Sequence, residues 1–200
     1  ASSMLTVLAT NANRKNPAAR CFELSKVFVP KALPLTEQPE EVPALCLGLY
    51  GPEESFFTLK GIVEAIAARF GVDGEYRRSG EPYLHPGRQA ELVFMDQATA
   101  VFGEAHPAAA ARFGLGTRVY LAEIRLEPFY KALEALRTVY QPLPKFPAST
   151  RDLALIADRE QPIAEIEKAI RAAAPSIVEK AELFDIYQGS QIPSDKKSVA

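Results

Sequence analysis

The segment Gln141-Pro142-Leu143-Pro144-Lys145-Phe146-Pro147 places three prolines within seven residues. Each proline fixes its own φ and removes a backbone donor, and each biases the residue before it toward an extended conformation. No helix or central strand is expected to run through such a stretch. It reads as a stiff, extended linker between two folded parts. The chain therefore divides into residues 1–140, a linker over 141–147, and residues 148–200. Both parts can pack: 48% of the 200 residues are hydrophobic and the net charge is −2, which excludes a disordered chain.

Apolar spacing predicts the elements on either side. Residues 3–12 read as a helix with Met4, Leu5, Leu8 and Ala12 on one stripe, ended by Asn13 to Pro17. Residues 20–29 and 44–50 read as strands, and Pro30 to Pro43, with four prolines, as the loop between them. Phe56 to Phe70 carries apolar residues at i, i+3, i+4 and i+7, with Gly71 placed as a C-terminal cap. Residues 91–95 and 99–103 flank Asp96-Gln97 as a hairpin. A short helix from Pro107 ends at Gly114, a strand spans 118–126, and a helix opens at Pro128 and runs to about Arg137. Antiparallel strands interspersed with helices indicate an α+β fold. Beyond the linker the order is strand (152–157), helix (162–174), strand (178–187) and strand (from 196), the β-α-β-β start of a ferredoxin-like fold.

Composition excludes several functions. No apolar stretch reaches the roughly 18 residues of a membrane helix, and Ser3 to Ala9 has no basic segment before it, as a signal peptide would. Cys21 and Cys46 form neither a disulfide framework nor a Cys-x-x-Cys metal motif, which suits the cytoplasm. His85 and His106 are the only histidines, and no third ligand accompanies them. No Gly-rich phosphate loop, dinucleotide fingerprint or His-Glu-x-x-His is present. The sequence lacks an initiator Met and stops at Lys197-Ser198-Val199-Ala200 as a strand would begin, as expected of a piece of a longer protein.

Phe146-Pro147, Arg151-Asp152-Leu153-Ala154-Leu155, Leu183-Phe184-Asp185-Ile186-Tyr187-Gln188-Gly189, Gln191-Ile192-Pro193 and Lys196-Lys197-Ser198 occur in that order over residues 145–200. They resemble the ferredoxin-fold anticodon-binding domain of the bacterial phenylalanyl-tRNA synthetase β subunit. Ser3-Met4-Leu5, Asn11, Asn13, Cys21-Phe22-Glu23-Leu24, Leu84-His85-Pro86-Gly87-Arg88 and Gly103-Glu104-Ala105-His106-Pro107 are similar to the catalytic-like module of the same subunit. The resemblance implies a class II synthetase-like antiparallel sheet module that is catalytically inactive, followed by a truncated ferredoxin-like domain. It implies a part in ATP-dependent charging of tRNA with phenylalanine. The implied partners are the α subunit, in an α2β2 heterotetramer, and phenylalanine tRNA. ATP and Mg²⁺ would be held by the α subunit, with no cofactor on this chain. In the active subunit of this class, a strand with an arginine near a glutamate holds ATP; here Cys21 to Ser25 offers Glu23 without that arginine.

The RNA-contact candidates are Arg151, Tyr187, Gln188, Lys196 and Lys197. A tyrosine on an open sheet face can stack an unpaired base, or can simply cover the sheet edge. Arg151 can pair with Asp185 or meet RNA; Lys196 and Lys197 can meet phosphate or stay solvated. From Lys145 onward eight basic residues face nine acidic ones, so this part carries no net positive footprint. No catalytic residue and no metal site is expected. Two rival readings remain: a free-standing enzyme using His85, Glu104 and His106 in a cleft, and an interaction module without an RNA role.

Overall fold

The computed structural model describes residues 1–200 apart from Thr138, Gln141 and Pro144. It separates into two compact units, Ala1–Val139 and Tyr140–Ala200. The linker expected over 141–147 includes Gln141 and Pro144, which lie outside the described residues; the others in that stretch carry neither helix nor strand.

The first unit is built on a six-stranded antiparallel sheet in the order β1-β2-β6-β5-β4-β3. The strands are β1 (Ala19–Val29), β2 (Glu40–Tyr50), β3 (Glu75–Arg77), β4 (Leu84–Phe94), β5 (Gln97–Ala105) and β6 (Tyr120–Arg125). Helices α2 (Phe56–Phe70) and α4 (Glu127–Ala135) cover one face, burying Leu59, Val63 and Phe129 against Leu47, Phe102 and Ile124. The Phe102 ring stacks on Phe56 at 5.7 Å. Helices α1 (Ser2–Asn13) and α3 (Pro107–Arg112) cover the other face, where Met4, Leu5 and Leu8 meet Tyr50, Leu84 and Leu121. Strand alternation explains the split, because Leu121 and Ala122 point to opposite faces.

Local chemistry fixes the element ends. Ser55 Oγ accepts from Thr58 N while Thr58 Oγ1 accepts from Ser55 N, a reciprocal box at the start of α2. Gly71, at φ +70°, closes its end. The β4–β5 hairpin turns through Met95 and Asp96, both at positive φ, one residue earlier than the spacing predicts. Strand β2 begins at Glu40, so Pro43 lies in a strand and not in a loop. Its carbonyl accepts from Leu126 N (3.0 Å), but it has no N–H to return to the Leu126 carbonyl. That carbonyl instead takes Tyr130 N as the first bond of α4, so no acceptor is stranded.

The second unit pairs β7 (Leu155–Asp158) with β9 (Lys196–Val199), and β9 with β8 (Ile186–Tyr187), in the order β7-β9-β8. Helix α5 (Ile163–Ala173) turns Ile163, Ile166 and Ile170, all partly buried, to one side. Two expected strands are shorter than predicted. Residues 152–154 and 178–185 are not strand, and regular pairing covers only residues opposite β9. Asp185 continues the β8 side of the ladder by exchanging backbone hydrogen bonds with Ala200, the last residue of the sequence.

Candidate functional site

A cavity of about 600 Å³ in the first unit opens beside the start of α1, along β1, β2 and β6. Cross-strand pairing places Glu23 beside Cys46 and Cys46 beside Glu123, so two carboxylates flank one thiol across β1, β2 and β6. Tyr83 donates from its hydroxyl to Glu123 Oε2 at 2.9 Å. Burial, then the Glu123 charge, pushes the Tyr83 hydroxyl far above its usual range. Burial also raises the Cys46 thiol, opposed by the Ala1 ammonium and helped by Glu123 and Glu23. Glu23, Glu40, Glu81, Glu123 and Glu127 line it against Lys26 and Arg125. The Ala1 ammonium pairs with Glu123, and the carboxylates still outnumber the cations around the cavity. Among the described residues no three His, Cys, Asp or Glu side chains come together to hold a metal.

The two histidines serve the backbone. His85 Nδ1 accepts from Gly87 N at 3.1 Å, and His106 caps α3 by accepting from Ala108 N at 3.2 Å. Neither lines the cavity, and nor does Glu104. Glu104 is 3% exposed and is gripped by Arg88, whose Nη2 reaches Oε1 at 3.0 Å while Nε meets Oε2 at 2.5 Å. Burial pushes the Glu104 carboxyl up, but the Arg88 bonds and charge, with Arg118 and His85 behind them, leave it below the usual carboxylate range. The motifs Leu84 to Arg88 and Gly103 to Pro107 thus lock onto each other. Leu84 pairs with Ala105 and Gln89 with Gly103, and the register shifts across the residues between. A side chain at Gly103 would collide with the Arg88 carbonyl, so the bulge requires glycine. The three groups of the enzyme rival are therefore a turn, a cap and an ion pair.

In the second unit, Tyr187 lies on the short strand β8, 41% exposed, with its ring over Gly189; a methyl group on Gly189 would overlap the hydroxyl. Gln188 follows it on the surface. Arg151 donates to Ser149 Oγ (2.8 Å) and the Thr150 carbonyl (2.7 Å) and not to Asp185, so the expected ion bridge is absent. Lys196 pairs with Asp158. Lys197, 7% exposed, turns inward and donates to the Gln161 carbonyl. The two lysines form no common patch because successive strand residues face opposite ways. What the sequence reading missed is the apolar row on β1: Phe22, Leu24 and Phe28 are 75%, 64% and 62% exposed. Their even spacing was visible, but the absence of any cover was not.

The family model described as the phenylalanyl tRNA synthetase beta chain CLM domain matches residues 1–126, and that of the ferredoxin-fold anticodon binding domain matches residues 144–200. The chain belongs to the phenylalanyl-tRNA synthetase β-chain family. The phenylalanine–tRNA ligase beta subunit of Clostridium tetani is 38% identical over 205 residues, covering 100% of this chain and 25% of its own length. That of Symbiobacterium thermophilum is 38% identical over 207 residues, covering 98% and 23%. The chain thus spans about a quarter of the curated relatives it matches. In fold it is similar to the pyrrolysyl-tRNA synthetase of Desulfitobacterium hafniense, with a TM-score of 0.53 at 14% identity over 68% of this chain and 48% of that one.

Proposed function

We propose that this chain is a non-catalytic part of phenylalanine–tRNA ligase, supplying subunit assembly and binding of the tRNA anticodon region. The carrying observation is the synthetase-like sheet whose cavity sets five carboxylates against the side chains of Lys26 and Arg125. The active site for phenylalanine, ATP and Mg²⁺ then belongs to the α subunit, in a cytoplasmic α2β2 enzyme. Support for assembly comes from β1. Phe22, Leu24 and Phe28 form an apolar row on an edge strand, as buried subunit interfaces require. The apolar stripe of helix α1 adds nothing to that surface, since Met4, Leu5, Leu8 and Ala9 are already buried on its own sheet. Support for RNA binding comes from Tyr187, a half-exposed ring beside the polar Gln188. Arg151 and Lys196 are further contacts in this reading, while Lys197 holds β9 from inside. The deciding experiment is phenylalanine-dependent pyrophosphate exchange by the purified chain with and without the α subunit. Exchange is expected only with the α subunit; exchange by the chain alone overturns the reading.

A further inference from the structure

We propose that the groove beside Tyr187 is a phosphate subsite for tRNA, built by Arg159, Ser190 and Ser194. The proposal rests on the anticodon-binding reading above and deepens it. The groove measures about 370 Å³, within the roughly 300–1,000 Å³ of ligand pockets. Backbone bonds hold its walls. Arg159 N donates to the Asp195 carbonyl at 2.8 Å, Ile192 N to Gly189 O at 3.2 Å, and Lys196 N to Pro193 O at 2.9 Å. Three turns are thus tied into one rim by their backbone.

The lining contains two cations and no carboxylate. Lys196 is paired with Asp158. Arg159 is exposed, and its guanidinium takes no ion pair or hydrogen bond among the described residues. Glu160 and Asp195 flank the groove in sequence but do not line it. A free planar guanidinium with the Ser190 and Ser194 hydroxyls and the Gln188 amide is a donor set suited to a phosphodiester. The Tyr187 ring decides for nucleic acid over an acidic peptide. Gly189 is both the seat of that ring and part of the groove lining. A base stacked on Tyr187 brings its own backbone phosphates to the groove.

The test uses the full-length β subunit assembled with its α subunit, and measures tRNA affinity across salt for Arg159→Ala, Arg159→Lys and Tyr187→Ala. Arg159→Ala is expected to weaken tRNA about tenfold and to lower the slope of log affinity against log salt by about 0.7, one phosphate contact on a single strand. Arg159→Lys should restore the slope but not the whole affinity. The melting temperature should not change, because the side chain has no partner to lose. If Tyr187→Ala weakens tRNA while Arg159→Ala leaves affinity and slope intact, the subsite is wrong and the anticodon reading stands. If neither variant changes tRNA binding, both fail. Inorganic phosphate titrated onto the free enzyme separates the sources: Arg159-dependent phosphate binding with unchanged tRNA affinity also overturns the proposal.

Discussion

Glu104 shows how a single residue turns from a catalytic candidate into a structural one. Its carboxylate is buried and both oxygens are taken by Arg88. Its folded pKa lies below its usual value, so the stabilisation is complete above the unfolded carboxylate range, about 4.3, and is lost as pH falls through the folded value. Glu104→Gln should therefore lower stability by about 1–3 kcal/mol at pH 7, by urea unfolding, and the gap to wild type should shrink toward pH 3. Tyr187 offers a second residue-scale prediction. In the assembled enzyme, Tyr187→Ala should weaken anticodon-loop binding by about 1–3 kcal/mol if a base stacks on the ring. Gly189→Ala should do part of the same damage by displacing the ring it supports. The sequence indicated Tyr187 because an aromatic near a strand end is recognisable. It did not separate Lys196 from Lys197, since facing depends on where β9 pairs. Nor did it reveal Arg159, which reads as one more solvated charge between Asp158 and Glu160 until the turns around Ser190 and Ser194 come beside it.

Elements were legible where they carry their own signals. Helix α2 has an apolar stripe, a serine cap and a terminal glycine, and its observed bounds match the spacing. Strand β3 is three residues long, too short for any period to register. Strands β7 and β8 were overestimated because their extent depends on β9, a remote partner. The same dependence on neighbours governs α1. Its close approach to β2 relies on Gly48, where a Cβ would run into Met4 and Leu8. Gly48→Val should lift α1 and cost about 1–3 kcal/mol in thermal or urea unfolding, the usual range for overpacking. Strand β1 leads to a different kind of prediction, because its apolar row is mostly exposed. Leu24→Glu should leave the melting temperature of the isolated chain nearly unchanged yet abolish co-elution with the α subunit on size exclusion. Retained co-elution would move the assembly surface elsewhere.

On the scale of the whole molecule, the two units differ in how they are held. Among the described residues, the buried apolar side chains of the second unit are Ala157 and Val199, and every other one lies in the first. Helix α5 buries no residue fully, and Leu155 and Ile156 are exposed on a strand that pairs on one side only. Hydrophobic burial is the main favourable term in folding, and a small unit with little of it is marginal. The first unit has two packed sheet faces and no such deficit. The chain should therefore melt in two steps, the second unit first. Hydrogen exchange is expected to show fast amides over Leu155–Asp158 while those of Tyr120–Arg125, in the middle of the large sheet, stay protected. Anticodon-loop RNA should raise the lower transition alone, because a ligand stabilises only the unit whose folded form it binds. A single cooperative transition would show the two units to be held alike, and an RNA-induced shift confined to the upper step would assign RNA contact to the sheet module.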